Sequence, residues 1–162
     1  MEKKEKMTHE AFLKIAIEEA LEGMRAGAGG PFGAVIVKDG QIIGKGHNTV
    51  LKSHDPTAHA EVNAIRNACN NLKDHHLTGG IIYTNFEPCP MCLSAIYWAN
   101  IRSLYYIAGR DVAEKIGFMD RHLYSEIALP MEEREMKSVR ILSGDMDRLL
   151  EEWNDMEGRF LY

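Results

Sequence analysis

Cysteine is scarce in this chain, with three in 162 residues, too few for a disulfide scaffold at that length. Two of the three, Cys89 and Cys92, are spaced as metal ligands rather than as a bridge. Long apolar runs are lacking too. Nowhere do 18 apolar residues follow one another, and the opening Met1-Glu2-Lys3-Lys4-Glu5-Lys6 mixes signs without leading into the apolar stretch of a secretory leader. The reading is a chain off the membrane in a reducing, cytoplasmic setting. An excess of positive charge is also missing. The net charge of −5 offers no broad footprint for a phosphate backbone, so nucleic acid is not the expected partner. The glycine-rich Gly27-Ala28-Gly29-Gly30-Pro31 has no Lys-Ser/Thr after it. That argues against a phosphate-binding loop and for a break at which backbone can approach a pocket.

What is present reads as one domain over residues 1–162, large enough to bury roughly 70% of its unfolded surface. Thr8 is a candidate N-cap for a helix running to Ala26, with Phe12, Ala16, Ala20, Leu21 and Met24 at helical spacing. Phe32–Val37 and Gln41–Gly44 flank Asp39-Gly40 as a hairpin. A polar loop follows, then a helix from Ala58 to about Leu72 with Val62, Ile65, Ala68, Cys69 and Leu72 as its apolar stripe. Gly80–Thr84 and Ser103–Ala108 read as strands around a helix from Met91 to Ala99. After Gly109 the pattern weakens, with a last strand expected near Ser138–Leu142 and a last helix from Asp145 to about Asn154. Alternating strands and helices predict a layered α/β fold.

The chemistry gathers in His59-Ala60-Glu61 and Pro88-Cys89-Pro90-Met91-Cys92, each at the start of an expected helix. Catalytic zinc takes three protein N and S ligands and keeps a fourth position open for water. His59, Cys89 and Cys92 supply three. The cysteines lie on one side of a first helical turn, and Pro90 fits a position whose N–H would have no partner. Two helix N-termini aimed at one metal favour thiolates. Glu61, too close to His59 for a comfortable fourth ligand, sits well for a general acid and base beside the reacting water. His-x-Glu alone is a common exposed turn, and Cys-x-x-Cys alone fits a structural zinc knuckle or a redox pair. Together they form the H-x-E…P-C-x-x-C pattern of zinc-dependent deaminases.

With these motifs the chain resembles the cytidine deaminase superfamily and, within it, the bacterial guanine deaminases. The likeness also runs through Gly30–Gly40, Asp55–Val62, Ala95–Ala99, Gly117-Phe118 and Tyr162. It implies a three-layer α/β/α fold around a five-stranded mixed sheet and one Zn2+ per chain. It also implies a homodimer that exchanges its C-terminal segment, about residues 145–162. By motif match Asn48 takes the place of a base-orienting amide and Asp120 that of a guanine-recognising carboxylate with a share in catalysis. Either has a plain structural alternative, a strand end or the start of a helical turn. Phe32 and Trp98 are candidate walls for the base, or else core aromatics. Arg159-Phe160-Leu161-Tyr162 is expected to pack against something, in its own subunit or as a lid over the partner's substrate. Trp98-Ala99 replaces the His-Ser of many tRNA-editing relatives, and Ser94 a frequent Gly.

The expected activity is hydrolysis of guanine, a small nucleobase, to xanthine and ammonia. Adenosine deamination in tRNA, action on guanosine or another small amino-heterocycle, and a non-catalytic zinc-stabilised module are the competing readings. Glu61 separates the last of these from an enzyme.

Overall fold

The computed structural model describes residues 7–161 and divides into two compact units at Ser125/Glu126. In the first unit, helix α1 (His9–Arg25) starts at Thr8, whose hydroxyl accepts from the Ala11 N–H, and its chain turns away at Gly27, with φ of +65°. Strands β1 (Gly33–Lys38) and β2 (Gln41–His47) are joined through Asp39 and Gly40, both at positive φ. That is the tight-turn geometry that Asp-Gly favours.

A single helical turn, α2 (Val50–Ser53), interrupts the expected polar loop, and α3 (Ala60–Leu72) follows. Next come β3 (Ile81–Phe86), α4 (Pro90–Trp98) and β4 (Ser103–Ala108). Two short helices that the sequence pattern does not announce, α5 (Arg110–Lys115) and α6 (Arg121–Ala128), close the order.

Among the described residues the sheet has four strands in the order β2-β1-β3-β4. β1 runs antiparallel to both neighbours and β3 parallel to β4, so the sheet is mixed. Alternation of side chains along β1 and β3 sends Ala34, Ile36 and Ile82 to one face, where they pack with Ala60, Ala64, Ala68, Ile96 and Ile101. Val35, Val37 and Tyr83 go to the other, against Phe12 and Ala16 of α1. Helices cover both faces, as the layered reading requires.

Two expectations need correction. The fully buried stripe of α3 is Ala60, Ala64 and Ala68, while Val62, Ile65 and Cys69 are half-buried and Leu72 is exposed. Small residues win because α3 lies almost on the backbone of β2: a Cβ on Gly44 would come within 2.6 Å of the Ala64 carbonyl oxygen. The fifth strand is the other. Ser138–Leu142 forms no ladder, and Val139, Ile141 and Leu142 are exposed. Strand-forming side chains make a strand only where a neighbouring edge supplies hydrogen-bond partners.

The second unit begins at Glu126 and contains a single 3-10 turn (Met131–Glu133) and helix α7 (Asp145–Asp155), close to the expected 145–154. Met146, Leu149, Leu150 and Trp153 line one side of α7 at helical spacing and are all exposed. No helix among the described residues is long and apolar enough to cross a membrane.

The close approach of α3 to β2 gives a stability prediction. Gly44→Ala forces backbone apart and lowers unfolding free energy by about 1–3 kcal/mol in urea titration. Gly144→Ala, with nothing within 4 Å of its added Cβ, serves as the control and stays within about 0.5 kcal/mol of the parent.

Candidate active site

His59 and Cys89 occupy equivalent places, the N-caps of α3 and α4. An N-cap side chain ordinarily accepts a hydrogen bond from its own helix. Neither of these does. Both reach into one buried volume instead, where Cys92, one turn into α4, joins them. Pro90 at the first helical position leaves no N–H without a partner.

The His59 Nδ1 atom lies 3.6 Å from Cys89 Sγ and 3.5 Å from Cys92 Sγ. Zinc bound at tetrahedral angles to such nitrogen and sulfur atoms would hold them about 3.6 Å apart, given its usual bond lengths. The donor set therefore fits zinc in both chemistry and spacing. The bond from Cys92, and after it the bond to His59, bring Cys89 down to about 4 against the opposing effect of burial. The same bond, followed by burial, pushes Cys92 up. His59 is raised chiefly by its bond to Cys89.

Glu61 follows on the first turn of α3. It is only 7% exposed, and its Oε2 accepts from Cys92 Sγ at 3.4 Å. Burial is the main reason its carboxyl lies above the ordinary carboxylate range. A buried carboxyl with a raised proton affinity, beside an open metal position, can both take and return a proton.

This corner opens into a cavity of about 590 Å³, a size for a small ligand. Gly29 and Gly30 border it, Phe32, Leu51, Pro56 and Phe118 give it apolar walls, and Asn48 and Asp120 add polar atoms. The glycine break thus does bring backbone to the pocket. A Cβ on Gly29 would fall 2.0 Å from the Asn48 amide oxygen. Asn48 is buried, and its amide oxygen accepts from the Val50 N–H at 3.1 Å. Phe32 packs edge-on against Phe118, with centroids 4.7 Å apart. One oxygen of Asp120, Oδ1, is buried without a hydrogen-bond partner among the described residues. Burial first, and then the negative charge of Cys89, raise the Asp120 carboxyl.

His59, Cys89, Glu61, Asn48, Phe32 and Asp120 therefore share one cavity, with Cys92 behind its metal corner. Trp98 does not line it; at the end of α4 it is 69% exposed. Tyr162 lies outside the described residues. Residue-type reasoning missed Asn63, whose amide donates to the His47 carbonyl, the Thr49 hydroxyl and the Ala58 carbonyl, fastening the Asn48 loop to the start of α3. It also missed the role of Glu87, which accepts from Arg110. Both act through partners distant in the chain, which local residue pattern does not reveal.

The family model for the cytidine and deoxycytidylate deaminase zinc-binding region matches residues 6–108. The chain belongs to this family. His59, Cys89 and Cys92 are its candidate zinc site. Among its relatives, the chain is 57% identical over 128 residues to a guanine deaminase of Bacillus subtilis, covering 79% of this chain and 82% of that protein. A crystal structure of guanine deaminase from Bacillus subtilis superposes with a TM-score of 0.91 at 48% identity, over 96% of this chain and 99% of the other. A tRNA-specific adenosine deaminase of Aquifex aeolicus is further away, 44% identical over 102 residues, covering 63% of this chain and 67% of that protein.

Metal analysis follows directly from the donor geometry. The purified family member carries about one zinc per chain, and Cys89→Ser brings this well below one by plasma mass spectrometry, with a lower Tm. Full zinc retention in Cys89→Ser would remove that sulfur from the ligand set.

Proposed function

We propose that this deaminase hydrolyses guanine to xanthine and ammonia. One observation carries the reading. A three-donor metal corner with a buried carboxyl opens into an apolar cavity that is also lined by Asp120, whose Oδ1 is buried without a hydrogen-bond partner among the described residues. Guanine carries donors at N1 and the 2-amino group, and a carboxylate is the acceptor that they need. The match to guanine deaminase of Bacillus subtilis in both sequence and structure supports it.

Zinc on His59, Cys89 and Cys92 would make water a nucleophile near neutral pH. Glu61 takes a proton from the attacking water as the new C–O bond forms at C2, and passes it to ring N3. It then carries the second proton to the departing amino group; the C2–N bond breaks, ammonia leaves and a carbonyl remains. Asp120 and Asn48 hold the purine edge, and Phe32 stacks or edges against its face. Apolar walls keep bulk water from the buried carboxylates, which strengthens each of these contacts.

We infer further that the whole chain acts as one catalytic domain in a cytoplasmic homodimer that exchanges residues 145–162, with Tyr162 over the partner's substrate. The exposed apolar side of α7, with Phe160 and Leu161 beyond it, supports this, as does the need to keep paired thiols reduced.

Ammonia release from guanine, guanosine, adenine, cytidine and a tRNA anticodon stem tests the reading, with guanine expected to lead. A tRNA preference would hand the site to the adenosine-editing branch. Glu61→Gln keeps its zinc and loses about 10²- to 10⁴-fold in kcat; loss of the metal with an intact fold would make Glu61 a ligand instead. Deleting residues 159–162 lowers guanine kcat/KM far more than Tm. A truncated protein with normal turnover would dismiss the lid.

A further inference from the structure

The cavity wall that carries Phe118, Met119, Asp120 and Leu123 is built from α5, α6 and the loop between them. This wall has no place in the sheet. Beyond the chain link from β4 through Gly109 to α5, a closed ring of four contacts fixes its alignment with the metal corner. The Arg110 guanidinium donates to Glu87 Oε1 at 2.6 Å, and the Arg110 backbone N–H donates to Glu87 Oε2 at 3.3 Å. The guanidinium carbon stands 4.0 Å from the centroid of the Tyr124 ring, cation–π geometry. The Tyr124 hydroxyl donates to the Pro88 carbonyl at 2.9 Å. The ring thus begins and ends in the two residues that precede Cys89.

The restraint passes directly to Asp120. The Tyr124 N–H donates at 3.3 Å to the carbonyl of Asp120, the residue just before α6. On the other side Glu114 of α5 accepts two bonds from Arg121, at 2.8 and 2.9 Å, bracketing the loop that turns at Gly117 with φ of +95°. The Phe118 N–H returns to the Ala113 carbonyl at 3.0 Å. Asp120 is therefore held by neighbours on both sides while its Oδ1 has no hydrogen-bond partner among the described residues.

We propose that Arg110 and Tyr124 are positioning residues that set the Asp120 carboxylate at a fixed place relative to the Cys89 corner, and through it the grip on the purine edge. Neither touches the reacting atoms. Arg110 supplies the planar fork and stacking surface that a lysine lacks, and Tyr124 ties α6 to the loop before Cys89 through its hydroxyl. The proposal rests on the guanine reading for its kinetic consequences and on the contacts alone for its mechanical ones.

A double-mutant cycle with hydrogen exchange tests it on the zinc-loaded full chain. Arg110→Ala raises KM for guanine about 10- to 100-fold, the range for a lost bond to a charged group, with a much smaller change in kcat and zinc still at about one per chain. Arg110→Ala combined with Asp120→Asn loses little beyond Asp120→Asn alone, because Arg110 acts through Asp120. Arg110→Lys recovers only part of the loss. Tyr124→Phe keeps the ring but not the hydroxyl, and speeds amide exchange across residues 117–124 while α3 and α4 stay protected.

Losses that multiply in the double variant would overturn the proposal, as would a fall in kcat at unchanged KM or unaltered exchange in Tyr124→Phe. If Arg110→Ala does not fold, Tyr124→Phe decides by the same exchange measurement. If the parent protein leaves guanine untouched, the guanine reading falls and exchange in Tyr124→Phe still judges the clamp.

Discussion

Two helix N-termini, those of α3 and α4, point into one buried volume, and the side chains at their N-caps turn away from capping to meet there. Much of the site depends on this convergence. An imidazole, two thiols and a carboxyl within hydrogen-bonding distance of each other are costly to bury uncompensated. A divalent cation held by His59, Cys89 and Cys92 would resolve the cost, and the positive ends of both helices favour the thiolates that it would need. Glu61, two residues along α3 from His59, is brought beside that position by helix geometry alone.

The layers around this corner follow from the demand that it be rigid. α3 can carry His59 and Glu61 at a set depth because Ala60, Ala64 and Ala68 let it lie against glycines of β2. Strand β3 leads straight into the Glu87-Pro88-Cys89 loop, so the cysteine corner inherits the register of the central sheet. Asn48 leaves the end of β2 and is tied back by its own N–H to the Phe32 carbonyl at 3.0 Å. Metal corner and amide thus rest on strands. Asp120 rests on short helices, and that contrast gives the Arg110 and Tyr124 contacts their importance.

How much of this is legible in the chain varies with the physics involved. The metal ligands and Glu61 are readable because their spacing is local and the chemistry admits few residue types. The Asp-Gly hairpin, α1 and the end helix are readable from period and punctuation. The alanine stripe of α3 is not, because burial there is decided by how near the partner backbone comes rather than by side-chain size. Ser138–Leu142 reads as a strand from composition, but pairing requires an edge that local sequence does not specify. Trp98 suggests a stacking wall by type alone, yet its place at the last turn of α4 leaves it exposed. Arg110 and Tyr124 leave no trace in periodicity, since their partners lie 23 and 36 residues away in the chain.

An open coordination position beside Glu61 is the claim on which catalysis turns, and X-ray absorption at the zinc edge tests it most directly. The account predicts two sulfur scatterers at about 2.3 Å and two lighter ones at about 2.0–2.1 Å, one from imidazole and one from water. It also predicts that Glu61→Gln leaves this shell unchanged. A shell closed by a third sulfur or a second imidazole, or one that loses an oxygen in Glu61→Gln, would contradict it.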